Sequence, residues 1–276
     1  MILSTASPLL APGGALMLAT VSVLLYFLAL LPLAALARLS AAALIGGWLL
    51  HFVLLVIDIG GVGQDVPGAR LGFGPVLSMT VWLVIAVHTV ESRLVPVPAV
   101  RQLLAVAGAL AVLLAAAFPG EVRPHTSALA PLHFVLGVGC YGLFGAAVLH
   151  ATMLDAAERR LRGGGLAAAR GQAVGMPLLQ LERLTFRFVQ AGFVALTATL
   201  VLGVATMTQW RWGDHKVGFS LLAWAVIAGL LLGRRLRGWR GRRATRWLYV
   251  GAALLLLAYV GSRFVLEVLL HRGPAG

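Results

Sequence analysis

The chain has 276 residues, of which 60% are hydrophobic and only 11% charged, and its mean hydropathy is +0.95. That balance excludes a water-soluble globule, because so apolar a chain with so few charges needs lipid as its solvent. The net charge of +13 lies in the segments between apolar runs, as membrane topology requires and nucleic-acid binding does not. One cysteine, Cys140, excludes an internal disulfide, a CxxC pair and a thiolate zinc site.

Eight apolar runs approach the roughly 20 residues that a helix needs to cross the hydrocarbon. They fall near residues 14–37, 41–59, 73–91, 98–118, 130–155, 178–208, 217–235 and 245–269, the sixth being the longest. The expected fold is therefore all-α, a polytopic bundle of eight transmembrane helices. Ala35-Leu36-Ala37 looks like a signal cleavage site, but no basic segment precedes the first run and the run is long, so it reads as a retained span. The stretch from Met176 to Phe188, with Glu182, Arg183 and Arg187 among apolar residues, reads as an interfacial lead into the sixth span. Residues 161–175, with Gly163-Gly164-Gly165, read as a flexible cytoplasmic linker. The chain divides into an N-terminal four-helix half, residues 1–120, and a C-terminal half, residues 121–276.

Assigning loops alternately to the two sides places 16 of the 22 basic residues together. Seven of them are Arg234, Arg235, Arg237, Arg240, Arg242, Arg243 and Arg246, and the positive-inside rule makes their side cytoplasmic. Both termini are then extracytoplasmic, and a bacterial inner membrane crossed several times is the expected location.

Seven histidines in so apolar a chain are informative, because a buried imidazole needs a partner or a metal. His133 opens the fifth span and His215 just precedes the seventh, both from outside, so the two share a level; His125 lies in the loop before His133. His51 is about two thirds of the way outward along the second span. His88 and His150 fall near cytoplasmic ends and His271 in the tail, where backbone or solvent satisfies them. His133 and His150 are 17 residues apart, about 25 Å of helix, so they cannot share a metal. Around His215 stand Trp210, Trp212, Asp214 and Lys216. Aromatic planes and cations beside an imidazole suit a flat, anionic, iron-bearing ligand, and haem offers ring faces, propionates and two axial positions. An interfacial aromatic belt accounts for the tryptophans equally well. Arg263 in the eighth span has Glu267 at i+4 for a local ion pair, and its level would equally let it meet a propionate.

Several of these segments resemble one family. Asp214-His215-Lys216, Leu222-Ala-Trp224, Gly233-Arg234 and Gly238-Trp-Arg-Gly-Arg-Arg243 resemble the cytochrome c assembly family of integral membrane haem-handling proteins, the group with CcsA, ResC and the HemX-like branch. Leu132-His133 with Gly139-Cys-Tyr141, and Gly261-Ser-Arg263-Phe, resemble the same family, most closely its small HemX-like branch. The resemblance covers about residues 120–270, with His51 the one suggestive position before them. It implies that His133 and His215 are axial ligands to a non-covalent haem b at the outer face, with Trp210, Trp212, Arg263 and His51 lining or supporting the site. The implied partners are haem, other cytochrome c biogenesis membrane proteins or apocytochrome c, and the lipid bilayer. Trp210-Arg-Trp212-Gly-Asp214 is a shortened form of that family's tryptophan-rich WWD segment, without a long external loop.

No acid pair, nucleophile elbow or phosphate-cradling loop is present, so the expected role is to hold or relay haem and not to catalyse. Two other readings stay open: a transporter or ion-efflux accessory using the intramembrane histidines, and a regulatory scaffold whose arginine-rich segment 234–246 binds an enzyme of haem synthesis or anionic lipid.

Overall fold

The computed structural model describes residues 12–31, 37–59, 69–70, 72–91, 98–120, 122–123, 129–163, 178–206 and 215–265. Within them lie α1 (Pro12–Leu28), α2 (Ala37–Ile59), α3 (Phe73–Glu91), α4 (Pro98–Ala117), α5 (Ala130–Gly163), α6 (Leu178–Thr206), α7 (His215–Arg237) and α8 (Gly241–Leu256). A π-helical turn, Leu257–Gly261, and a last turn, Ser262–Phe264, prolong α8. The two-residue strands β1 (Ala69–Arg70) and β2 (Val122–Arg123) pair antiparallel, with Ala69 opposite Arg123. Seven helices, α2 to α8, are long and apolar enough to cross a bilayer.

Three boundaries differ from those expected. The first run stops being helical at Leu28, and Leu31 is already irregular. Leu31 precedes Pro32, whose ring disfavours the α conformation in the residue before it. The next helix accordingly restarts at Ala37 and not at 41. The longest helix is α5, with 34 residues against 29 for α6. Its polar end, Ala156 to Arg162, is built from strong helix formers, and Glu158 and Arg162 pair at 2.7 Å one turn apart. The helix therefore outlasts its apolar stretch and runs to the glycine run, so Leu161–Gly163 are helix and not linker.

The described residues form two compact units. In the first, α1 to α4 pack through small residues and aromatic ties, the devices that replace the hydrophobic effect where lipid competes for apolar contact. Ser22 Oγ donates to the Gly47 carbonyl at 3.0 Å. A Cβ on Gly108 would lie 2.6 Å from the Tyr26 ring, so only glycine lets α4 close over that phenol. Likewise, a Cβ on Gly74 would lie 2.6 Å from the Phe118 carbonyl oxygen and 2.7 Å from that of Leu114. Between α2 and α3, each of Trp48 and Trp82 donates its indole N–H to the other's backbone carbonyl at 3.1 Å, and the rings stack at 4.9 Å.

In the second unit, α5 to α8 bury Cys140, Phe144, Ala147, Phe186, Ile227 and Leu248 in one core. Polar ties cross it. The Tyr141 hydroxyl donates to the Leu255 carbonyl at 2.5 Å, just before α8 widens into its π turn. The Trp224 indole donates to Thr197 Oγ1 at 3.0 Å. Thr245 Oγ1 and the Tyr249 hydroxyl donate to the two oxygens of Asp155 at 3.0 and 2.9 Å. The α7–α8 turn is held by Gly238 and Gly241 at φ 62° and 55°, in the left-handed region that favours glycine.

Candidate functional site

His133 lies in the first turn of α5, with its ring against α6: a Cβ on Gly203 would be 3.2 Å from His133 Cε1. One turn along, Gly137 faces Thr199 in the same antiparallel register. The ring is half-buried and interacts with the backbone of Thr199, while its Nδ1 is enclosed without a hydrogen-bond partner of good geometry. Among the described residues, the other enclosed polar side-chain atoms lacking a partner are Arg101 Nε and Trp239 Nε1. His133 alone of these three is an imidazole, able to donate or accept a lone pair.

Helix register places His215 relative to it. Gly203, beside His133, is six residues from Thr197, about 9 Å along α6. Thr197 meets Trp224 of α7, and His215 is nine residues from Trp224, about 14 Å along α7 toward the same end. The two histidine backbones therefore stand at one end of the second unit, about one helical turn apart in depth. Lys216 shares that first turn of α7.

Trp210, Trp212, Asp214 and His125 lie outside the described residues. So do Glu267 and His271, while Arg263 has described backbone only, in the turn Ser262–Phe264.

His51 sits in the first unit, fully enclosed. Its Nδ1 is hydrogen-bonded to the Tyr26 hydroxyl at 3.0 Å and its Nε2 to Ser78 Oγ at 2.6 Å. A neutral imidazole has one donor and one acceptor, and here both are occupied, so an iron could bind His51 only by displacing a hydroxyl. His150 is buried, donates Nδ1 to the Ala146 carbonyl at 2.7 Å, and stacks on Phe188 at 5.3 Å. His88 is buried near the end of α3. Among the described residues no three His, Cys, Asp or Glu side chains converge as a metal cage would need.

Sequence reasoning did not identify Tyr26 and Ser78 as partners of His51, or Asp155 as the acceptor that ties α5 to α8. The only available signal was their polarity inside apolar runs.

The chain matches the family model described as cytochrome C assembly protein over residues 14–270. It is 30% identical over 221 residues to the inner membrane protein YpjD of Escherichia coli (strain K12), covering 78% of this chain and 80% of that protein. A shorter stretch of 87 residues is 34% identical to the cytochrome c biogenesis protein CcsA of Synechococcus sp. (strain CC9605), covering 30% of this chain and 28% of that one. An uncharacterized 28.8 kDa protein of Azospirillum brasilense is 37% identical over 99 residues, 34% of this chain and 36% of that one. No solved structure matches. With seven apolar helices long enough to cross a bilayer, the chain is a multi-pass bacterial inner-membrane protein. Its match along nearly its whole length makes it a member of the cytochrome c assembly protein family.

Proposed function

We propose that this protein holds haem b non-covalently at the end of the second unit where α5 and α7 begin, and relays it during cytochrome c biogenesis without transforming it. In this reading His133 and His215 would hold the iron, and Trp210, Trp212 and Lys216 would supply aromatic and cationic groups for the rest of the haem. The observation that carries it is the His133 ring: its Nδ1 is enclosed without a partner in a membrane helix, about one helical turn in depth from the backbone of a second histidine. Haem suits that donor set, since neutral imidazole is a common axial ligand. Covalent attachment through CxxCH needs two cysteines and the chain has one.

Bound haem supplies an iron with two axial positions and a pair of carboxylates. The chain's own residues do the rest: Gly203 leaves room for the His133 ring, and the packing of α5 on α6 fixes its depth. The end carrying His133 is the outer one by the positive-inside rule, because the arginines of residues 234–246 lie at the opposite end of α7 and α8. Both termini are then extracytoplasmic. The family match and the CcsA relative support a place in cytochrome c biogenesis.

The test is the oxidised and dithionite-reduced absorption spectrum of detergent-purified protein, for wild type and for His133→Ala/His215→Ala. The expected result is a Soret band with sharp reduced α and β bands in wild type, lost in the double variant. A wild type that takes up no haem even from added hemin overturns the proposal.

A further inference from the structure

The opposite end of the second unit, where α5 ends, α6 begins and α7 turns into α8, carries charge that neither packing nor the proposed site uses. Among the described residues it gathers twelve arginines against three carboxylates, Asp155, Glu158 and Glu182. Those carboxylates are already engaged. Asp155 accepts from Thr245 and Tyr249, Glu158 pairs with Arg162, and Glu182 pairs with Arg234 at 2.7 Å, with Arg240 at 3.7 Å from the same oxygen. Arg234 also lies over the Phe186 ring at 3.7 Å, and Arg243 over Trp239 at 4.3 Å. Arg235, Arg237, Arg242 and Arg246 remain exposed, with no ion pair among the described residues.

Depth identifies what these four meet. The helices able to cross a bilayer end at Arg237 on α7 and begin at Gly241 on α8, so only three residues separate them, and the large apolar residues flanking the turn most closely on the two helices are Leu236 and Trp247. A connection that short cannot lift the guanidinium groups into bulk water. It holds them in the headgroup layer, about one or two turns from the hydrocarbon. Trp239 and Trp247, with ring centroids 5.5 Å apart, add the aromatic pair suited to that layer, and Trp247 is 38% exposed. Arg242 and Arg246 are one turn apart on α8, and planar guanidinium groups bind phosphate oxygens in pairs. Positive-inside topology needs cations on this side. It does not need four of them exposed at one depth beside a tryptophan pair.

We infer that the α7–α8 turn is a binding surface for anionic phospholipid, with Arg235, Arg237, Arg242 and Arg246 holding the phosphates and Trp247 seated among the glycerol esters. The short turn beside the exposed Trp247 favours a lipid phosphate over a soluble acidic protein.

The test uses the full chain in nanodiscs of phosphatidylcholine alone or with phosphatidylglycerol or cardiolipin. It measures thermal stability and the lipid retained on extraction. Wild type is expected to be stabilised by anionic lipid and to enrich it on the order of tenfold over the bulk composition. Arg235→Gln/Arg237→Gln/Arg242→Gln/Arg246→Gln should lose both effects. Should that variant insert poorly, wild type is read against salt: raising sodium chloride to about 0.5 M should abolish the preference. No anionic preference in wild type, an undiminished one in the variant, or one indifferent to salt overturns the inference. Equal stabilisation by soluble glycerol phosphate in phosphatidylcholine discs overturns the assignment to lipid.

Discussion

His51 offers a direct test of whether a buried histidine in this chain is a structural tie or an iron ligand. The Tyr26 hydroxyl and Ser78 Oγ occupy both ring nitrogens, and all three side chains are almost wholly enclosed. Tyr26→Phe leaves Nδ1 without its partner, which costs about 1–3 kcal/mol for an orphaned buried polar group. Ser78→Ala should cost about the same at Nε2. In His51→Leu the freed Ser78 hydroxyl can turn back to a carbonyl one turn earlier, as Thr80 does to Val76 at 2.8 Å on the same helix. Tyr26 has no such escape, because Gly108 fits against its ring. The expected loss for His51→Leu is thus about 2–4 kcal/mol, one orphaned hydroxyl plus imperfect packing. Chemical unfolding in detergent measures these losses, and the absorption spectrum of the same samples reports haem. Reduced stability with an unchanged spectrum is expected in all three variants. A His51→Leu protein of wild-type stability that has lost its haem bands would refute the reasoning and make His51 a ligand.

Further substitutions probe the frame. Asp155→Ala removes the acceptor of two hydroxyls, but Thr245 keeps the Arg242 carbonyl at 3.3 Å. The expected loss is about 2–4 kcal/mol, and a double-mutant cycle with Tyr249→Phe should show coupling of about 1–2 kcal/mol. Gly203→Val should push the His133 ring aside and weaken hemin uptake in titrations, whereas Gly137→Ala, whose Cβ would meet only Thr199 Cγ2 at 3.6 Å, should leave uptake unchanged. Gly74→Ala drives a methyl group onto backbone carbonyls that cannot rotate away, so its unfolding should be easier by about 3 kcal/mol. Gly139→Ala, with nothing within 4 Å of the new Cβ, should be neutral or stabilising by up to about 1 kcal/mol.

How much of this was legible in the sequence follows from the range of each interaction. Lipid selects runs of about 20 apolar residues, a local property, so the helices could be placed from composition alone. The misplaced boundaries were also local: Pro32 marks the end of the first helix, and the helix formers after Asp155 carry α5 onward. Hydropathy outweighed both signals, because it reads polar residues as the end of a span even when they continue the helix. The polar ties were hidden for a different reason. Tyr26 and His51 are 25 residues apart, Asp155 and Tyr249 are 94 apart, and Tyr141 meets a backbone carbonyl 114 residues away. No spacing rule joins such pairs, since they depend on which helices become neighbours. His133 was readable as a candidate because an imidazole stands out in an apolar run, and because His215 begins the facing end of another span.

The two units dispose of their polar groups in different ways, and that contrast bears on where a ligand belongs. In the first, apart from Arg101 Nε, the polar side chains named above are closed on one another: His51 between two hydroxyls, each tryptophan on the other's backbone. Such groups rigidify the bundle and have nothing left to offer. In the second unit Asp155, Tyr249, Tyr141 and Trp224 are closed in the same way, but other groups toward its two ends are left open. One end has an enclosed imidazole nitrogen without a partner, and the other has four exposed arginines at headgroup depth. A bilayer penalises open polar groups more than water does, which is why a ligand is proposed at each end. In the two readings proposed above, the imidazole would hold a metal at one end and the guanidinium groups phosphate at the other. Between them the closed polar ties of α5 hold that helix against α8 at two levels, so the His133 ring is carried on a fixed rod. Loosening those ties, as in Asp155→Ala, should therefore broaden the haem spectrum before it abolishes binding.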